Sequence, residues 1–292
     1  MADSVARVWA VASMTLREAL RRKVLIAALV MTAGFLALYG FAAKEAGDSF
    51  RAVTAGNSAA ELMNRIASVQ LLSLGLTPAA FIVGLAAVFA SVGIISSELD
   101  TGVMYGVLSR PVRRAELVIG KAVGVSLMLA AYSLLTCGAV VGLARWQMGT
   151  PLANLPGALA LFALEPVTLI ALAVLGSTRL PTLANGVLCT IAYGIAFIGG
   201  VIEQIGGLIQ SSTMVDLGIA SSLLMPVDAV HRKAISILMP GGLLLGDPGS
   251  MGGGGMGLGS PSMPSIWMLL YAALYVGLIM WAACRAFARR DL

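Results

Sequence analysis

Charge is scarce in this chain. Of its 292 residues only 11% are charged, and 59% are hydrophobic. A soluble domain carries about 25% charged and roughly 45–50% apolar residues, so a chain this apolar cannot cover a water-facing surface. With a mean hydropathy of +0.93, lipid is its solvent and a soluble globular fold is excluded. Histidine is scarcer still. One residue, His231, rules out a histidine-rich metal site and leaves a single candidate for any His-based triad. That candidate stands beside Arg232 and Lys233, which reads as an interfacial or surface position rather than a catalytic one. The three cysteines, Cys137, Cys189 and Cys284, each lie within an apolar run, too far apart for a metal motif or a disulfide framework. They read as small buried thiols.

Catalytic signatures are missing as well. There is no G-x-x-x-x-G-K-[ST] phosphate loop, no H-E-x-x-H and no G-x-S-x-G, so ATP hydrolysis, zinc peptidase and serine hydrolase chemistry by those routes are excluded. Gly252, Gly254 and Gly257 fit G-x-G-x-x-G, but no strand precedes them and no acidic partner follows, so the match belongs to a low-complexity glycine tract that reads as a flexible loop.

What the sequence does have is apolar runs of membrane-crossing length. A helix needs roughly 20 apolar residues to cross a hydrocarbon core of about 30 Å. Runs at about 24–43, 70–96, 120–143, 157–178, 183–204 and 266–284 meet that length. They predict an all-α integral membrane protein of six transmembrane helices forming one domain over 1–292. Pro78 marks a possible kink in the second run, and Glu165-Pro166 interrupts the fourth. The first run exceeds the roughly 7–15 apolar residues of a cleavable signal, which predicts an uncleaved first span. Before it, Val5, Val8, Trp9, Ala12, Leu16, Ala19 and Leu20 recur at helical spacing, so residues 3–22 read as an amphipathic helix on the membrane surface. Residues 205–265 contain apolar stretches too short to span, punctuated by Pro226, Pro240 and Pro248. They read as an external segment, with interfacial, re-entrant and spanning arrangements all open.

The net charge of +5 sits in clusters flanking the apolar runs, a membrane-flank pattern rather than a nucleic-acid footprint. With both termini inside, 13 of the 19 basic residues fall on the cytoplasmic side: Arg7, Arg17, Arg21, Arg22, Lys23, Arg110, Arg113, Arg114, Lys121, Arg179, Arg285, Arg289 and Arg290. That asymmetry sets the expected orientation. Glu165 is the one carboxylate near the middle of a span, and an intramembrane ionisable residue is a candidate pathway residue. Facing a watery interior or pairing with a neighbouring helix is the structural alternative. Gly138 and Gly142 form a G-x-x-x-G that permits close helix packing.

The loop between the second and third runs carries the most specific pattern: Glu98 and Asp100, then Thr101-Gly102, Tyr105, Leu108-Ser109-Arg110-Pro111-Val112-Arg113-Arg114, and Gly120-Lys121 opening the next span. In this, in the amphipathic start running into Arg21-Arg22-Lys23, in Met225-Pro226-Val227-Asp228-Ala229 with Arg232, and in the terminal Phe287 to Leu292, the chain resembles the membrane subunits of ABC-2 type exporters. The six-span permeases linked to multicopper-enzyme and nitrous-oxide reductase maturation are the group it is most similar to. The long glycine tract and the strongly basic second arginine run depart from that pattern.

The resemblance implies a transport subunit without its own ATPase site, in a bacterial cytoplasmic membrane. It implies two permease copies paired around a pathway, and separate ABC ATPase subunits that carry the ATP and Mg, with no cofactor on this chain. Residues 97–117 would be the cytoplasmic coupling loop, with a helix over 101–109 that presses Leu108 and Tyr105 into the ATPase. Glu98, Asp100, Thr101, Gly102, Arg110, Pro111, Arg113 and Arg114 would complete the contact. Two readings from other classes stand beside it, a proton-driven secondary transporter using Glu165 and a membrane-embedded enzyme.

Overall fold

The computed structural model describes residues 2–21, 23–53, 58–97, 113–239 and 265–289. These are helical, with no strand among the described residues. We number the helices α1 (Ala2–Leu20), α2 (Lys23–Val53), α3 (Ser58–Ser91), α4 (Arg114–Met148), α5 (Leu155–Ser177), α6 (Thr182–Leu208), α7 (Ser212–Leu224), α8 (Val227–Leu238) and α9 (Ile266–Ala288). Six of them, α2 to α6 and α9, are long and apolar enough to cross a membrane. The all-α, six-span expectation therefore stands.

The spans outrun their apolar cores. Helix α2 has 31 residues and α4 has 35, so at 1.5 Å per residue each exceeds the roughly 30 Å hydrocarbon thickness by about 15 Å or more. The excess carries the polar ends, such as Lys44, Glu45 and Asp48 of α2. Helix α4 stops where Gly149 takes a left-handed conformation (φ 64°) and its N–H returns to the Arg145 carbonyl at 3.1 Å, the αL termination that glycine adopts without strain. Helix α5 starts under Asn154, whose side chain accepts the Gly157 N–H at 3.0 Å, with Pro156 in the first turn.

Glu165-Pro166 does not interrupt the fourth span: α5 is continuous through it. Proline removes one N–H and so frees the carbonyl four residues earlier, here that of Phe162. Ser133 of α4 donates its hydroxyl to that carbonyl at 2.7 Å. A neighbouring side chain thus supplies the missing bond, as proline inside a spanning helix requires. At the far end of α3, Asn185 and Lys121 donate to the Val92 and Ile94 carbonyls at 2.8 and 3.0 Å. Side chains of α6 and α4 thereby finish the helix where its own ladder stops.

Where it is described, the 205–246 segment forms two helices sharply bent against each other, the geometry of a broken span or a re-entrant loop. Helices α7 and α8 have 13 and 12 residues, about 20 and 18 Å long, each too short to cross alone. They meet at 107° across Met225-Pro226. Helix α7 packs back along α6, where glycines leave the room: a Cβ at Gly199 would overlap Ser221, and one at Gly218 would overlap Glu203. Helix α8 then returns between α5 and α6, and the Leu238 carbonyl accepts the Ala153 N–H at 2.9 Å. The hairpin therefore opens toward the side opposite α1, with its tip, Met225 and Val227, in the core.

Two apolar clusters fill the bundle. One, on the α1 side, joins Ala19, Val88, Leu117, Leu129, Leu169 and Phe287. The other joins Tyr39, Leu72, Leu76, Val140, Phe162 and Leu238. Arg114 of α4 donates to the Ala288 carbonyl at 3.3 Å, so the end of α9 lies on the same side as the start of α4.

Candidate functional site

Two groups of polar residues stand out, one at the α1 face and one buried in the bundle. At the α1 face, Glu116 occupies the third position of α4 and takes the Arg113 N–H at 3.2 Å, which satisfies a free donor at the helix start. The same carboxylate accepts both Nε and Nη2 of Arg7 from α1, at 2.9 and 3.0 Å, the two-pronged geometry an arginine fork favours. Below this pair α1 lies against α4 at two glycines. A Cβ at Gly120 would come within 2.7 Å of the Val11 Cβ, and one at Gly124 within 2.6 Å of the Ala12 carbonyl oxygen. The close-packing G-x-x-x-G of this helix is therefore Gly120/Gly124. At Gly138 and Gly142, the pair singled out by spacing alone, nothing lies within 4 Å.

Helix α1 buries Ala12, Thr15 and Ala19 against the bundle and leaves Val5, Trp9, Met14 and Leu20 exposed. Arg113 and Arg114 sit at this face, Arg113 exposed and Arg114 partly so. Glu98, Asp100, Thr101, Gly102, Tyr105, Leu108, Arg110 and Pro111 lie outside the described residues.

The second group surrounds Glu165. Ten residues into α5, about 15 Å from its start, Glu165 is 2% exposed and faces His231 of α8, with Oε2 and Nδ1 3.2 Å apart. His231 is not a surface residue: it is 6% exposed and its ring packs against Phe162 at 5.7 Å. Its neighbour Arg232 points the other way, toward α6 and α7, donating through Nη2 to Glu203 at 2.7 Å and to Ser222 at 3.4 Å. Arg232 Nε lies 2.8 Å from Asp228, one turn earlier on α8. Gly200 makes space for that aspartate, since any Cβ there would collide with its carboxylate. Helix α8 is thus tied on both sides by buried polar contacts, His231 to Glu165 of α5 and Arg232 to Glu203 of α6. Among the described residues no group of three His, Cys, Asp or Glu side chains is placed to hold a metal ion.

Of the residues picked from sequence, the structure buries Glu165 and gives it a partner. Those the sequence did not single out are Arg7, Glu116 and Glu203, and the pairing roles of His231 and Arg232. Arg7–Glu116 and Glu165–His231 join positions 109 and 66 residues apart, and no local periodicity signals such a pairing.

Six helices long and apolar enough to span, with α1 packed on the third of them and a bent α7–α8 pair between the fifth and sixth, define a multi-pass membrane protein. The sequence model of the ABC-2 family transporter proteins matches residues 9–292. The chain belongs to that family and is a membrane component of an ABC transporter. No curated protein sequence matches it.

Proposed function

We propose that the chain is the permease subunit of an ATP-driven exporter in a bacterial cytoplasmic membrane, working as a pair of copies with both termini cytoplasmic. ATP and Mg are handled by separate ABC ATPase subunits. The observation that carries this reading is the family match over residues 9–292, taken with the absence of a phosphate loop in the chain. The α1 face supports it. The Arg7–Glu116 pair and the Gly120/Gly124 crossing join α1 to the first turns of α4, and α4 begins within the proposed 97–117 coupling segment. A push on that loop by a closing ATPase would move α1 and α4 together, as rigid-body transmission requires.

In this reading Tyr105 and Leu108 fill an apolar groove of the ATPase, and Glu98, Asp100, Arg110, Arg113 and Arg114 line its polar rim, with Thr101, Gly102 and Pro111 shaping the turn. The test is charge reversal. Glu98→Arg or Arg110→Glu in the full chain should weaken ATPase binding at least tenfold in nanodiscs while leaving the permease folded. Unchanged affinity in both variants would move the contact elsewhere.

A further inference from the structure

The buried cluster carries a consequence beyond helix packing. Three carboxylates, Glu165, Glu203 and Asp228, converge on α8 against one permanent cation, Arg232. Arg232 is taken up by Glu203 and Asp228, which leaves His231 as the cation-capable group facing Glu165. In the low dielectric of a bundle core an uncompensated buried charge is expensive, so an ionised Glu165 favours a protonated partner.

The geometry points to the atom involved. His231 Nδ1 faces Glu165 Oε2 at 3.2 Å, the arrangement in which a protonated Nδ1 donates to an ionised carboxylate. Nε2 is buried and has no hydrogen-bond partner among the described residues, which leaves it as the nitrogen that gains or loses the proton. The groups acting on His231 come from α5 (Glu165) and from its own helix (Asp228 and Arg232). Glu203 of α6 stands behind Arg232, while Cys137 of α4 and Tyr193 of α6 lie on the Glu165 side. The charged groups of α3, Glu61 and Arg65, are exposed and paired with each other. Asp216 of α7 is exposed and Lys233 of α8 partly exposed. Helix α9 brings no charge before Arg285, at its α1-side end.

We propose that His231 and Glu165 form a proton-binding site inside the membrane, and that the bound proton holds the α7–α8 hairpin against α5. One proton adds at Nε2 without any covalent bond breaking, and the imidazolium so formed pairs with the Glu165 carboxylate. Losing that proton removes the charge pairing on the α5 side of α8 while the Arg232 side persists, so the hairpin loosens toward the side opposite α1. The site is defined by this chain alone and stands whether or not the ATPase reading holds.

His231 is the chain's only histidine, so selective ¹⁵N-histidine labelling gives one imidazole to follow. The full chain, purified through a histidine-free tag and placed in nanodiscs, should show an imidazolium at pH 6–7. In Glu165→Gln its proton affinity should fall at least tenfold, a drop of one pH unit or more in the midpoint, and in Asp228→Asn it should fall by less. An imidazole that is neutral at pH 6–7 in the unmodified chain overturns the proposal without recourse to any variant. So does a midpoint that Glu165→Gln leaves in place. The holding role is read separately at fixed pH from Cys137, which is buried in the cluster that contains Ala234 and Leu238 of α8. His231→Gln should raise its alkylation rate at least tenfold relative to buried Cys189. An unchanged ratio would contradict that role.

Discussion

At the scale of single residues, buried polar groups in this bundle are tied to specific partners, and the consequences of removing one partner differ. Arg232 is 5% exposed between Glu203 and Asp228. Arg232→Ala leaves two carboxylates without their cation, and breaking a buried pair in this way destabilises by about 3–5 kcal/mol. The expected result is a large drop in the thermal midpoint of the purified protein; a change within error would mean that water already screens the pair. Ser133→Ala strips the partner from the Phe162 carbonyl beneath Pro166, and an orphaned buried acceptor costs about 1–3 kcal/mol. Here the expected outcome is a moderate fall in stability, with faster amide exchange confined to the middle of α5. Glu165 was legible in the sequence because a carboxylate inside an apolar run is conspicuous. The burial of His231 was not, since its flanking Arg232 and Lys233 suggest a surface. Its actual surroundings are set by a carboxylate 66 positions away.

At the scale of elements, the spans were legible because membrane thickness imposes their length, and only their ends moved. Helices α2 and α4 run past their apolar cores, where polar residues continue a helix that hydropathy alone cannot follow. The α7–α8 hairpin was less legible. Pro226 marks its bend, but two helices of 13 and 12 residues carry no signal that separates lying on a membrane from dipping into it. The packing of Gly199 and Gly218 against Ser221 and Glu203 lays α7 along α6, a contact that no local spacing signals. The G-x-x-x-G pattern teaches the same lesson. Gly120/Gly124 and Gly138/Gly142 are equivalent as spacing, and the presence of α1 beside one pair distinguishes them.

Gly120→Val or Gly124→Val should therefore expel α1 from α4, seen as faster proteolysis and amide exchange across residues 4–20. Gly142→Val, with open space around it within the chain, should leave α1 protected. Equal effects at both sites would contradict the crossing. Glu116→Ala should act in the same direction but more mildly, since it removes the acceptor of the Arg113 N–H and the partner of Arg7 while leaving the Gly120/Gly124 crossing in place. The Arg7 side of its ion pair adds little, being 39% exposed and screened by solvent.

At the scale of the whole molecule, the division of labour follows from what the chain contains. It has six helices long and apolar enough to span, α1 packed on the third of them and a buried polar cluster at the α7–α8 bend, while a phosphate loop is missing from the sequence. As a member of the ABC-2 transporter family, it is the membrane component of a machine whose ATP chemistry, in our proposal, belongs to a separate subunit docking on the 97–117 segment and α1. The most direct measurement is co-expression of the full chain with candidate soluble phosphate-loop ATPases from the same genome, followed by purification through the permease. Particle mass and ATP hydrolysis are then measured in nanodiscs. We predict a stable complex of two permeases and two ATPases that hydrolyses ATP, and that loses its ATPase when Glu98 or Arg110 is reversed in charge. A permease that purifies alone, with no hydrolysis above background, would contradict this reading.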